Sequence, residues 1–219
     1  MSSTRDPEKM SYRLELEQTV RAHVAQLSAE AGLEEPTVNV VPFLKVRPPT
    51  INAHFRKPGE VPTITITERA VQELPHRVLR FLLAHEVGHF AHWEFREQMQ
   101  RLIKFVLLGG MIFLLGFLLA VAGIGDSIPG FLMLGTGVVV GGGSLLVLQA
   151  RSRVDEYWVD AFAARLTGDL AAAREYFAAL DQNQQKGLLG PLSSHPSIPN
   201  RLGAVEKILN QTNAQGSAP

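Results

Sequence analysis

The chain has 219 residues, no cysteine, and 21 basic residues (Lys and Arg) balanced by 21 acidic residues, so its formal net charge is zero. Zero net charge argues against a nucleic-acid partner, which usually selects a basic surface. The absence of cysteine excludes disulfides, thiolate metal ligands and a cysteine nucleophile, so any metal site must use histidine and carboxylate side chains.

The first predicted element is an amphipathic helix from about Pro7 to Ala31, with Gly32 as its stop. Its apolar face recurs at three- and four-residue steps, which is the helical period: Tyr12, Leu16, Val20, Val24 and Leu27. This helix makes residues 1–33 a first segment. The first ten residues are polar and no apolar run follows them, so we expect no cleavable signal peptide.

Three short β-branched stretches come next, at Thr37–Val41, Thr50–His54 and Thr63–Thr67. Proline and glycine between them, and strict alternation of Thr and Ile in the third, are typical of short strands with one buried face. These stretches predict a small antiparallel sheet.

A metal-binding motif follows the strands. The segment His85–His89 reads His-Glu-Val-Gly-His, in a stretch predicted to be helical from Pro75 to about Gln100. One turn separates the two histidines, so both imidazoles leave the same helix face and can bind one metal ion. Glu86 can act as a base on water at that metal, which is the pattern of a zinc hydrolase. The sheet and this helix give residues 34–101 as the first part of a catalytic domain.

Two long uncharged stretches follow, Phe105–Gly125 with 21 residues and Ile128–Ala150 with 23 residues. Each exceeds the run of about 18 apolar residues that indicates a membrane-spanning helix. Only Asp126 and Ser127 separate them, so they predict a tight transmembrane hairpin within residues 102–150. Both outer ends of such a hairpin lie on the same side of the bilayer.

Charge predicts which side that is. The hairpin tip carries only Asp126, whereas basic residues flank the outer ends: Arg96, Arg101, Lys104, Arg151 and Arg153. By the positive-inside rule, we expect a multi-pass protein of the cell (plasma or inner) membrane with its active site on the cytoplasmic side. Gly137 and Gly141 form a small-xxx-small step that can pack on the first span or on a second copy of the chain.

The third metal ligand is predicted directly after the second span. Glu156 and Asp160 lie one turn apart in an otherwise apolar segment, which the hairpin would return to the helix that carries His85. Because the metal still needs a carboxylate, we expect Glu156 as ligand, with Asp155 as its main competitor. Asp160 would orient a ligand histidine through the other ring nitrogen. The alternative is a solvated acidic helix face.

In this order, the His85–His89 motif, the hairpin and the pair Glu156-x-x-x-Asp160 resemble the membrane zinc metallopeptidases of the HtpX and CAAX-prenyl-protease type. The resemblance covers roughly residues 50 to 205. It implies a zincin-like metallopeptidase domain with Zn²⁺ as its cofactor.

Two flanking segments extend the resemblance. Asn52 and Ala53 are similar to the family's Asn-Ala edge-strand motif, which implies a strand that holds an extended substrate by backbone hydrogen bonds. His195, before Pro196, and Arg201 are similar to the family's His-Pro…Arg segment. The resemblance implies that His195 stabilises the oxyanion and that Arg201 supports this loop or pairs with an acidic group.

We therefore predict an α+β fold: a mainly helical metallopeptidase domain with a small antiparallel sheet, interrupted by the transmembrane hairpin. Residues 151–210 complete the domain and residues 211–219 form a disordered tail. The predicted function is a membrane-anchored zinc metalloendopeptidase acting on polypeptides, with membrane protein quality control implied by the resemblance. Expected partners are polypeptide substrates, the lipid bilayer and, through the transmembrane helices, a second copy. The alternative is a catalytically degenerate scaffold that binds metal or partner proteins, against which the intact Glu86 argues.

Overall fold

The structure is a computed structural model that describes residues 7–42, 54–55, 62–122, 128–184 and 196–216. Within these ranges the chain forms these elements in order: α1 Pro7–Ala31, β1 Thr37–Val41, β2 His54–Phe55, β3 Thr63–Thr67, α2 Glu68–Glu73, α3 His76–Ala91, α4 Trp93–Val121, α5 Ile128–Thr167, α6 Leu170–Gln184 and α7 Ile198–Gly216. The fold is therefore α+β and mainly helical, as predicted.

The chain divides into two compact units. The core unit contains Met1–His92, Tyr157–Leu188 and Pro196–Pro219, and the hairpin unit contains Trp93–Glu156 and Leu189–His195. The boundary between them at Glu156 falls inside the uninterrupted helix α5.

Helix α1 has the bounds that its apolar periodicity predicted. Val20, Val24 and Leu27 are fully buried in the core, whereas Tyr12 near the start of the same face is 48% exposed. The hydrophobic face therefore packs against the core from Leu16 onward, and its burial is complete from Val20 to Leu27. Gly32 has a φ of 67°, in the left-handed region that favours glycine, and it ends α1 as predicted.

The sheet is mixed, with strand order β1-β3-β2. Strand β3 pairs in antiparallel orientation with β2 but in parallel orientation with β1. The predicted antiparallel sheet is thus correct for β2–β3 and wrong for β1–β3. A parallel pair needs a long crossover, which the segment between Val41 and Thr63 provides. The polar side chains of β3 are also largely buried, with Thr65 only 8% exposed.

Helix α3 forms the centre of the core unit. It begins after Pro75, as predicted, but it ends at Ala91 with His92 as its C-cap, instead of continuing to about Gln100. Between Val78 and His89 every residue except Arg80 is buried. The metal-binding motif therefore lies on a helix that is surrounded by protein.

Helices α6 and α7 follow the hairpin. Gly168 has a φ of 64°, and the Asp169 carboxylate accepts a hydrogen bond from Ala172 N at 2.9 Å, which caps α6. Helix α7 continues to Gly216, so Gln211–Gly216 is helical and differs from the predicted disordered tail.

Helix α6 packs against both α3 and α7. The exposed ion pair between Arg77 and Glu175 links it to α3, and the pair between Arg174 and Glu206, at 2.8 Å, links it to α7. Exposed pairs of this kind contribute little to stability. The buried contacts of α6 therefore decide how it holds its two neighbours.

Among the described residues, two helices are long and apolar enough to cross a membrane: Arg101–Val121 in α4 and Gly130–Thr167 in α5. Only 11% and 6% of their apolar windows are buried within the structure, unlike the core helices of a soluble protein. Helix α5 has 40 residues, a length of about 60 Å. Charged residues begin at Arg151, so one helix joins the predicted second span to the predicted ligand segment without a break.

Close contact between the two apolar helices depends on glycine. A Cβ atom placed on Gly109 would lie 2.2 Å from the backbone nitrogen of Gly141, and one on Gly137 would lie 2.5 Å from that of Phe113. Side chains cannot occupy such short distances, so only glycine fits. The step from Gly137 to Gly141 therefore packs on the first helix of the same chain.

Replacing Gly109 by Ala is expected to push the two helices apart and to lower the stability of the hairpin by roughly 1–3 kcal/mol, the usual cost of overpacking. Gly110→Ala is the matched control, because no atom lies within 4 Å of a Cβ at that position. Thermal unfolding of both variants in detergent is the measurement. Equal stability of the two variants would contradict the close helix approach.

Candidate metal centre

Three buried side chains converge between α3 and α5. His85 and His89 from α3 and Glu156 from α5 place their ligand atoms within 4.8 Å of one another. Their exposed fractions are 4%, 4% and 6%. Two imidazoles and one carboxylate are a donor set that suits zinc, so this cluster could hold a metal ion.

The carboxylate in this cluster belongs to Glu156 and not to its neighbour Asp155, the competitor that the sequence left open. Asp155 is also buried, at 4% exposure. Adjacent helical residues point about 100° apart, whereas Glu156 and Asp160 are one turn apart and share a face. The helix face that carries Glu156 and Asp160 is therefore the one directed at the histidines.

Asp160 fixes the orientation of His85. The Nδ1–H group of His85 donates to Asp160 Oδ1 at 2.9 Å, and the aspartate is fully buried. A carboxylate partner on Nδ1 selects the tautomer whose Nε2 lone pair is free for a metal. The rings of His85 and His89 lie edge to face, with centroids 4.8 Å apart. This chemistry fits a metal ligand set.

Arg201 holds Asp160 from the other side. Its Nε donates to Oδ2 at 2.7 Å and its Nη2 donates to Oδ1 at 2.8 Å. Arg201 is itself only 3% exposed. Bidentate arginine–carboxylate pairs are among the strongest hydrogen bonds in proteins, and here the cation compensates a buried anion. Of the two roles that the resemblance implied for Arg201, the structure shows the pairing with an acid.

Gly88, between the two histidines, lets α5 approach α3 closely. A Cβ atom on Gly88 would lie 3.1 Å from Phe162 Cδ1 and 3.2 Å from Val159 Cβ, tighter than almost all real contacts of this kind. Val159 directly precedes Asp160 in the chain. A side chain at position 88 would require Phe162 or Val159 to shift by a few tenths of an ångström.

The remaining predicted site residues divide into two groups. Glu86 is buried in α3 beside His85, with 5% exposure. His195, Asn52 and Ala53 lie outside the residues that the structure describes. Their predicted roles stay predictions.

Sequence reasoning missed three aromatic side chains close to the metal ligands. The Tyr176 ring lies 6.1 Å from the His85 ring, and Phe81 lies 5.3 Å from Tyr176. The guanidinium carbon of Arg201 lies 5.2 Å from the centre of the Phe177 ring. These residues belong to no motif, and apolar periodicity alone would have identified them only as core residues.

The chain is similar to known proteins over most of its length. The family model described as "Peptidase family M48" matches residues 15–209. A protein named "Protease HtpX homolog" from Campylobacter curvus (strain 525.92) is 27% identical over 197 residues, which cover 86% of this chain and 66% of the relative. A protein of the same name from Acaryochloris marina (strain MBIC 11017) is 27% identical over 220 residues, covering 87% and 72%. The chain thus spans about two thirds of the length of these curated relatives.

One solved structure, the crystal structure of S. mikatae Ste24p, is similar with a TM-score of 0.49 and 22% sequence identity. The match covers 85% of this chain and 49% of that chain.

Replacing Arg201 by Met would leave the Asp160 carboxylate buried without its cation. The expected cost is about 3–5 kcal/mol of unfolding free energy. The double variant Asp160→Asn, Arg201→Met removes both the buried anion and its cation. It is expected to recover a large part of the lost unfolding free energy.

Urea unfolding followed by circular dichroism measures these free energies. Arg174→Met is the matched control, because it removes an exposed pair with Glu206 and should cost less than about 1 kcal/mol. If the two arginine variants lost the same stability, Arg201 would not compensate a buried charge.

Proposed function

Because the chain belongs to peptidase family M48, we propose that it is a membrane-anchored, zinc-dependent metalloendopeptidase that hydrolyses polypeptides. The observation that carries this proposal is the buried cluster of His85, His89 and Glu156, with ligand atoms within 4.8 Å of one another. Three protein ligands leave a fourth zinc position open, which is typical of catalytic zinc sites and not of structural ones.

When bound, zinc at this site supplies a Lewis acid that activates water and polarises the scissile carbonyl. Glu86 takes the proton of the attacking water and returns it to the leaving amine. Asp160 and Arg201 hold His85 in one orientation during both steps. His195 donates a hydrogen bond to the developing oxyanion, a role carried over from the family resemblance.

The substrate would bind as an extended strand along the sheet. Strand order β1-β3-β2 leaves β2, His54–Phe55, at one edge of the sheet among the described residues. Asn52 and Ala53 directly precede β2 in the chain, which supports their role in holding an extended peptide by backbone hydrogen bonds. Binding of this kind depends more on the substrate backbone than on its side chains. It would suit a protease in membrane protein quality control that cleaves many different polypeptides.

The two apolar helices would cross the cell (plasma or inner) membrane as a hairpin, with the metal centre on the cytoplasmic side. Basic residues at the outer ends and Asp126 at the tip support this orientation. Glu156 follows the last residue of the apolar stretch, Ala150, by six positions, or about 9 Å along α5. Peptide hydrolysis would therefore take place close to the membrane surface.

The proposed chemistry is tested by proteolysis of an unfolded model protein, with zinc content measured on the same samples. Glu86→Gln is expected to keep close to one zinc per chain and to lose about 10²–10⁴-fold in rate, the usual contribution of a general base. Glu156→Gln is expected to lose zinc, because it removes a ligand. Glu15→Gln on the exposed side of α1 is the control and should change neither quantity.

Two results would count against the proposal. If wild type and Glu86→Gln both hold zinc and neither cleaves, a metal-binding scaffold describes the chain better. If Glu156→Gln retains full zinc occupancy, the ligand assignment is wrong.

The orientation is tested by labelling a single introduced cysteine with a membrane-impermeant reagent, since the chain has no cysteine of its own. Ser127→Cys at the hairpin tip should react in intact cells from the outside. Ala29→Cys, at an exposed position of α1, should react only after the membrane is opened. The reverse pattern would overturn the cytoplasmic assignment.

A further inference from the structure

Helix α6 places two adjacent aromatic side chains, Tyr176 and Phe177, beside the contacts that join Arg201, Asp160 and His85. Tyr176 is 4% exposed and Phe177 is fully buried. We propose that Phe177 is a positioning residue: its ring holds the Arg201 guanidinium so that Asp160 can orient the metal ligand His85. This inference rests on the metal centre of the proposed function, but it concerns a residue outside every motif in the chain.

Arg201 contacts both Asp160 and the Phe177 ring. Its guanidinium carbon lies 5.2 Å from the centre of the Phe177 ring, while two of its nitrogens donate to Asp160 at 2.7 and 2.8 Å. One edge of the guanidinium is thus occupied by the carboxylate, and the ring contacts the group from another direction. An aromatic ring attracts a cation through its quadrupole, and the attraction is strongest where water is excluded. Arg201 is only 3% exposed, so water is largely excluded from this contact.

The Phe177 ring is itself packed against two other aromatic rings. Its centroid lies 5.2 Å from Tyr176 at an interplanar angle of 61°, and 6.2 Å from Phe81 at 67°. These are the edge-to-face arrangements that aromatic rings prefer. Phe81 lies on α3, one turn before His85. The ring that faces Arg201 is therefore fixed against the helix that carries the metal ligands.

Helix α6 contacts both α3 and α7. Tyr176 faces the His85 ring at 6.1 Å, whereas Phe177 faces Arg201 on α7. Arg201, Asp160 and His85 contact one another in that order. Tyr176 and Phe177 therefore lie beside the first and last of these three residues. Because the ion pairs of α6 are exposed and weak, the aromatic contacts provide a buried link between α7 and α3.

A leucine at position 177 would fill much of the same volume without a π face. Arg201 would gain rotational freedom, its two hydrogen bonds to Asp160 would loosen, and Asp160 would hold His85 less firmly. Partners that orient a metal ligand typically change metal affinity by 10–100-fold when removed. Because Phe177 acts through two intermediates, we expect about three- to tenfold weaker zinc binding.

The experiment measures the zinc affinity of the full-length chain in detergent by competition with a chromophoric chelator. Phe177→Leu should weaken zinc binding by the factor above, and Phe177→Tyr, which keeps the ring, should stay within about twofold of wild type. Leu27→Ala is the control for general destabilisation, because Leu27 is fully buried on α1. It should lower the melting temperature and leave the zinc affinity of the folded protein unchanged.

A double-mutant cycle separates positioning from packing. If Phe177 acts through Arg201, Phe177→Leu should have little further effect on zinc affinity in an Arg201→Met background. Should that background fail to fold, Arg201→Lys replaces it, because lysine keeps the charge but lacks the planar bidentate group. An equal effect of Phe177→Leu with and without Arg201 would overturn the inference.

The outcomes also separate this inference from the proposed function. A wild-type chain that binds no zinc would overturn both the metal centre and the role of Phe177. A wild-type chain that binds zinc, with unchanged affinity in Phe177→Leu, would overturn the inference alone. Proteolytic activity is not needed for either decision.

Discussion

The buried carboxylate of Asp160 on α5 connects three helices, because it pairs with His85 on α3 and with Arg201 on α7. It accepts hydrogen bonds from His85 and from Arg201, and it is fully buried. A buried carboxylate without its partners raises the free energy of the folded state. The packing of the three helices is therefore favoured where both His85 and Arg201 reach Asp160. That arrangement is also the one that directs Glu156, one turn before Asp160, at the two histidines. Folding and ligand assembly thus share one constraint.

The close approach of α5 to α3 follows from a small residue within the motif itself. Gly88 leaves space for Val159 and Phe162 at distances that a Cβ atom would shorten to 3.2 and 3.1 Å. Glycine within a helix costs stability relative to alanine. The cost is offset here because the glycine lets α5 bring the Asp160 carboxylate within hydrogen-bonding distance of His85. The glycines of the hairpin have a similar effect, because they let the backbones of α4 and α5 contact each other directly.

The parts that sequence could predict are those governed by local periodicity. The bounds of α1, β1 and β3 and the common face of Glu156 and Asp160 follow from the 3.6- and 2-residue periods alone. The parallel pairing of β1 with β3 depends on a long crossover and left no local signal. The contact between Phe177 and Arg201 joins two helices through an apolar residue whose type is common to every core. Such contacts depend on tertiary packing, which periodicity does not report.

The chemistry of the site and the control of its geometry therefore lie in different parts of the chain. The ligands and the proposed base lie on α3 and α5, in motifs that a reader of the sequence can find. The side chains proposed to hold those ligands in place lie on α6 and α7: the Phe177 ring, and the Arg201 guanidinium that pairs with Asp160. A chain can thus keep every residue of its metal motif and still lose the metal, because a carboxylate orients a histidine only while its own partners hold it. Competence for catalysis in such a fold is a property of the two C-terminal helices as much as of the motif.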